Sequence, residues 1–90
     1  MAKSQMEENG IDDKQRYGTI ITTIIIAHYN YGTELEYIKE YHSSFEIFSQ
    51  GYQLALKELG SEHPLTITLE QNTLNVSVKK KVALAVIKLT

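Results

Sequence analysis

Hydrophobic positions are sparse up to about Arg16 and dense from Tyr17 onward. The first stretch is polar, carries Asn9-Gly10 and Asp12-Asp13, and offers little to fasten it to a core, so residues 1–16 read as a flexible polar tail. From Tyr17 the pattern turns helical. Ile20, Ile24, Tyr31, Leu35 and Ile38 recur at three, four or seven, with Ala27 and His28 filling the stripe between them. Local propensity pulls the other way, because residues 19–26 are almost wholly β-branched and suit a pleated strand. The period persists to about Tyr41, roughly six turns, which no ordinary strand does, so a helix is expected.

A second helix is expected from His42 or Ser43 to Leu59, with Phe45, Phe48, Tyr52, Ala55, Leu56 and Leu59 on its apolar face. Glu46 stands three after Ser43, the spacing of a capping box. Gly60 follows the last apolar residue, where a helix closes, and Pro64 cannot rejoin it. Residues 65–78 fit two patterns equally. Leu65, Ile67 and Leu69, then Leu74, Val76 and Val78, alternate like a β-hairpin, while Leu65, Leu69, Asn72 or Thr73, and Val76 share one helical face. Residues 82–89 are apolar and either extend that helix or form a separate cap.

Ninety residues make one small domain whose core is marginal against the entropy of ordering the chain. With no cysteine there is no disulfide, thiolate metal site or thiol nucleophile to supplement it, so oligomerisation or docking is the expected supplement. A formal net charge of -2 lacks the electrostatic footprint of a nucleic-acid binder. The one basic run, Lys79-Lys80-Lys81, reads as a solvated helix end that complements the helix dipole. The opening residues resemble neither a secretory signal nor a transit peptide, and no apolar stretch approaches the ~20 residues of a membrane span. A cytoplasmic protein is the expectation.

Residues 27–69 resemble a tetratricopeptide repeat, more closely the elongated kind of kinesin light chains. The likeness rests on Asn30-Tyr31-Gly32 in the first helix, then small Ser44, aromatic Phe48 and small Gly51, and on the exit Leu59-Gly60-Ser61-Glu62-His63-Pro64-Leu65-Thr66. Bulk is missing at Gly32, Ser44 and Gly51, where two helix backbones would approach, leaving Tyr41 and Phe48 to fill the gaps. Asn72 follows Asn30 by 42 positions, as a second and degenerate copy would. The resemblance implies an all-α fold: an antiparallel helix hairpin with an additional C-terminal helix, spanning residues 17–80, with 81–90 as an apolar extension or cap. It thereby favours helix for 65–78. It also implies a scaffold that binds other proteins or its own copies. Elongated repeats of this kind are common in motor adaptors and ciliary proteins, so a cytoskeletal or axonemal assembly is a plausible setting by analogy.

The chemistry-bearing residues specify no reaction. His28, His42 and His63 lack the short helical spacing of a metal face, and Glu34 and Glu36 point to different sides of one helix. Glu40 and Glu46 are separated by a turn. No catalytic, cofactor or metal residue is therefore assigned. By the resemblance, Asn30 faces a concave groove and hydrogen-bonds a peptide backbone, with Ile26, Tyr29, Thr33 and Tyr37 beside it as candidate partner-binding residues; satisfaction of neighbouring backbone by Asn30 is an equal alternative. A structural subunit without a peptide-reading surface, and a small α+β ligand-binding domain with a hairpin at 65–78, are the alternatives.

Overall fold

In the computed structural model, which describes residues 13–89, the β-branched run 19–26 is helical. It lies in α1, Asp13–Tyr37, which is followed by α2, Tyr41–Leu59, and α3, Pro64–Leu89. Residues 13–16 are already helical within α1, inside the expected tail; the rest of that tail lies outside the described residues. Asp13 sits in the first turn, where its charge complements the unpaired amides. No strand occurs among the described residues, and the hairpin alternative for 65–78 gives way to one continuous helix that runs on through the last apolar stretch.

The apolar stripe expected on α1 lies beside the inward face and not on it, with His28 and Leu35 half-buried at its inner edge and its other large members exposed. Ile20, Ile24, Tyr31 and Ile38 are 51%, 40%, 56% and 63% exposed, while Ile25 and Gly32 are buried, with Ile21 and Tyr29 packed at the border of the core. A helix with isoleucine at 20, 21, 24, 25 and 26 is apolar around most of its circumference, so periodicity alone could not choose the inward face. The helix crossing chose it. A Cβ on Gly32 would lie 2.6 Å from Phe48 Cδ1 and Cε1, and one on Gly51 would lie 2.7 Å from His28 Cβ. At both positions the opposing helix sets a side chain against the glycine backbone, and a Cβ there would require that side chain to shift. Ser44 adds a polar clasp by donating its hydroxyl hydrogen to the Gly32 carbonyl at 2.7 Å within the buried crossing.

Helix ends follow local chemistry. At the end of α1 the Glu40 amide donates to Leu35 O at 2.8 Å and the Lys39 amide to Glu36 O at 2.9 Å, with Lys39 at φ 65, which is a Schellman closure built without glycine. Helix α2 then starts at Tyr41, earlier than expected; Ser43 and Glu46 lie inside it, and no side chain caps it at Glu40. At its other end Gly60, at φ 90, donates its amide to the Ala55 and Leu56 carbonyls. His63 caps α3: its Nδ1 accepts from the Leu65 amide at 3.1 Å, while its carbonyl accepts from Ile67. Pro64 follows as the first helical residue, where a missing amide hydrogen costs nothing.

The core is one seam on either side of α2. Ile25, Phe48, Ala55, Leu69 and Val76 are fully buried, joined by half-buried Phe45, Tyr52, Leu54, Leu59 and Leu65. Leu56, expected in that face, is 37% exposed, and Leu54 takes the inward position instead. Helix α2 packs extensively on both neighbours, whereas α1 and α3 meet at few places. At Gly51 the central helix passes between His28 of α1 and Leu69 of α3.

Candidate functional site

Ile26, Tyr29, Asn30, Thr33 and Tyr37 stand at helical spacings of three and four, so α1 presents them on one flank. Their exposure is graded. Tyr29 is half-buried against the core, Asn30 and Thr33 are exposed, Ile26 is 40% exposed and Tyr37 86%. The Thr33 hydroxyl donates to the Tyr29 carbonyl at 2.8 Å, which engages its hydrogen and turns its methyl group away from that bond. The five residues therefore offer an apolar and aromatic strip with one primary amide, the Asn30 side chain, available as both donor and acceptor.

Tyr29, Thr33 and Glu36 continue the same row, and Glu36 leaves α1 to pair with Lys79 of α3. The Glu36 carboxylate holds the Lys79 ammonium above the ordinary lysine range, through the hydrogen bond first and the charge second. Asn72 and Asn75 precede Lys79 at seven and four on α3, so they share its flank. Helices α1 and α3 meet at few places, and the Glu36–Lys79 pair joins the two rows near one end. The chemistry of that side is amide, hydroxyl and aromatic, with the Glu36–Lys79 carboxylate–ammonium pair at one end.

The lysine run corrects its reading from sequence. Lys79-Lys80-Lys81 lies well inside α3, which continues to Leu89, so it does not end a helix or complement its dipole. Lys79 bridges to α1, and Lys80 places its ammonium 5.0 Å from the centre of the Phe45 ring. Neither contact has a signal in the sequence, since both depend on which helix lies alongside.

The histidines each serve local structure. His28 Nδ1 lies 2.9 Å from the Ile24 carbonyl, to which it donates in the tautomer that protonates that nitrogen; His42 sits 3.2 Å from Glu46; His63 is the α3 cap. No group of three or more metal-ligating side chains gathers among the described residues, and no described helix is long and apolar enough to cross a membrane. Two open depressions lie at the ends of the layer. One of about 750 Å³ adjoins Tyr17, Gly18 and Glu58, and there the Tyr17 hydroxyl donates to Glu58 at 3.1 Å, a bond that with the carboxylate's charge raises the phenol's pKa. The other, of about 470 Å³, lies between the α1–α2 turn and Ala83, Leu84 and Ile87 of α3.

A scan against family models, a search of curated proteins and a search of solved structures each return no match to this chain. The functional reading accordingly rests on the residues and their geometry.

Proposed function

We propose that the chain is a non-catalytic protein-interaction module of tetratricopeptide type, which binds an extended segment of another protein along the flank of α1 that faces α3. The observation that carries this reading is the Glu36–Lys79 pair, which joins the α1 row of Ile26, Asn30, Thr33 and Tyr37 to the α3 row of Asn72, Asn75 and Lys79 while the two helices otherwise meet at few places. Support also comes from the glycine-mediated crossing of α1 and α2 and from the Gly60-to-Pro64 exit, both at the spacing on which the resemblance rests. An extended peptide exposes backbone amides and carbonyls that Asn30 and Asn72 can pair, while the aromatic strip takes its side chains.

The test is selection of a displayed library of unstructured peptides on the purified protein, followed by titration of the enriched sequence. Binding should weaken about tenfold in Asn30→Ala, the loss of roughly one hydrogen bond to a desolvated backbone group. Tyr37→Ala should weaken it comparably. Enrichment that survives both substitutions unchanged, or no enrichment at all, sinks the proposal.

A further inference from the structure

The flank of α3 turned away from both other helices carries a second apolar stripe, distinct from the surface described above. Ile67, Leu74, Val78, Val82 and Leu89 are 42%, 61%, 60%, 57% and 87% exposed, and Ala85 is exposed among them. They recur at seven, four, four, three and four, so they form one continuous ridge about 33 Å long. A surface helix normally places polar residues on this side, and here a polar side is found only in Gln71 and the bordering charges.

The ridge is complementary to itself. Of the positions equidistant from Val78, Leu74 with Val82 and Ile67 with Leu89 match in kind, Gln71 opposes Ala85, and Val78 faces its own copy. Glu70, whose carboxylate also accepts from the Tyr52 hydroxyl at 3.1 Å, shares one edge of the ridge with Lys81 and Lys88. When two such helices run antiparallel, like edges meet, which brings Glu70 of each copy within a turn of Lys88 of the other. A parallel pairing in register would instead oppose like residues along the whole stripe and leave both charges without an opposite neighbour.

We propose that the outer face of α3 is a homodimer interface, in which two copies pair antiparallel about a twofold axis at Val78. The occupant is a second copy of this chain, selected by the palindromic order of its apolar residues and by two symmetric Glu70–Lys88 pairs. A closed twofold contact leaves no edge for further growth. One helix pair buries less than the roughly 1,200 Å² that marks the lower edge of stable interfaces, so the dimer exchanges with monomer at about micromolar concentration. The peptide-facing flank of α1 stays open in it, and the proposal is independent of the reading of that flank.

The chain has no cysteine, which makes single-cysteine crosslinking decisive. Val78→Cys should form a disulfide dimer under mild oxidation. Leu74→Cys should crosslink with Val82→Cys in an equal mixture but not with itself, because the two copies of position 74 lie about 12 Å apart along the antiparallel axis, beyond the ~7 Å that a disulfide spans. Self-crosslinking of Leu74→Cys, or failure of Val78→Cys to crosslink, overturns the pairing. Sedimentation equilibrium gives the second arm. Lys88→Glu should raise the dimer dissociation constant about tenfold and Glu70→Lys with Lys88→Glu should restore it, as expected when attractive pairs become repulsive and are then reversed. A chain that stays monomeric at about 0.1 mM, well above that range, overturns the proposal outright.

Discussion

Gly32 and Gly51 act through what they lack. Each sits where the neighbouring helix places a side chain against the backbone, Phe48 at one and His28 at the other, and the Phe48 ring is fully buried with no solvent to swing into. Gly18 is in the same helix as Gly32 but a Cβ there would meet nothing within 4 Å. The three positions separate helix propensity from packing. Gly18→Ala should stabilise the protein by about 0.5–1 kcal/mol, the propensity difference alone. Gly32→Ala and Gly51→Ala carry the same propensity gain and should nonetheless destabilise by about 1–3 kcal/mol through overpacking. Chemical denaturation with a common slope checks all three, and equal stability of Gly18→Ala and Gly32→Ala would remove the close crossing from the account. The repeat resemblance marked both packing glycines; position within a helical period alone does not, since Gly18 stands in one too. Neither revealed that the Ser44 hydroxyl spans the same crossing to the Gly32 carbonyl.

Among the elements, the α1–α2 connection is the one built against local preference. Lys39 holds φ 65 at the position that closes a helix, a conformation costing an L-residue other than glycine or asparagine about 1–2 kcal/mol. The Schellman bonds from Lys39 and Glu40 to α1 carbonyls hold it there. Lys39→Gly should raise stability by about 0.5–1 kcal/mol, the strain relieved less the entropy glycine adds to the unfolded chain. A lowered melting temperature would show that the lysine contributes more than its backbone costs. The second connection was readable and the first was not, for the same reason. Gly60, His63 and Pro64 are residues whose backbone limits and side chain announce a stop and a start, whereas Ile38, Lys39 and Glu40 announce nothing. That is why α1 was expected to run on to about Tyr41 and α2 to begin late.

At the scale of the whole molecule, burial concentrates in α2, which packs on both sides, and fades toward the last turns of α3, where Val82, Val86 and Leu89 are more than half exposed. Opening should follow that gradient. Amide exchange should be slowest between residues 44 and 55 and fastest, within α3, over 82–89 in the monomer. Exchange over 82–89 as slow as that of the α2 centre under dilute conditions would contradict it. The candidate surface also belongs to this scale. Its α1 half was legible as a row of residues on one helix, but its α3 half, with Asn75 and Lys79, became a neighbour only once the third helix lay beside the first.

The sequence by itself determined the helical reading of α1 and α2 and the break from Gly60 to Pro64, and, through the repeat resemblance, the small residues at Gly32 and Gly51. All of these follow from short-range causes: the helical period, the absence of a side chain, and the backbone limits of glycine and proline. Tertiary structure decided which face of α1 turns inward, whether 65–78 pairs as strands or winds as a helix, and where the lysines of α3 go. A helix apolar on most sides has no preferred face until the crossing beside Phe48 fixes one, and a segment that fits two periods has no preferred state until its packing against α2, with Leu69 and Val76 buried, selects the helix.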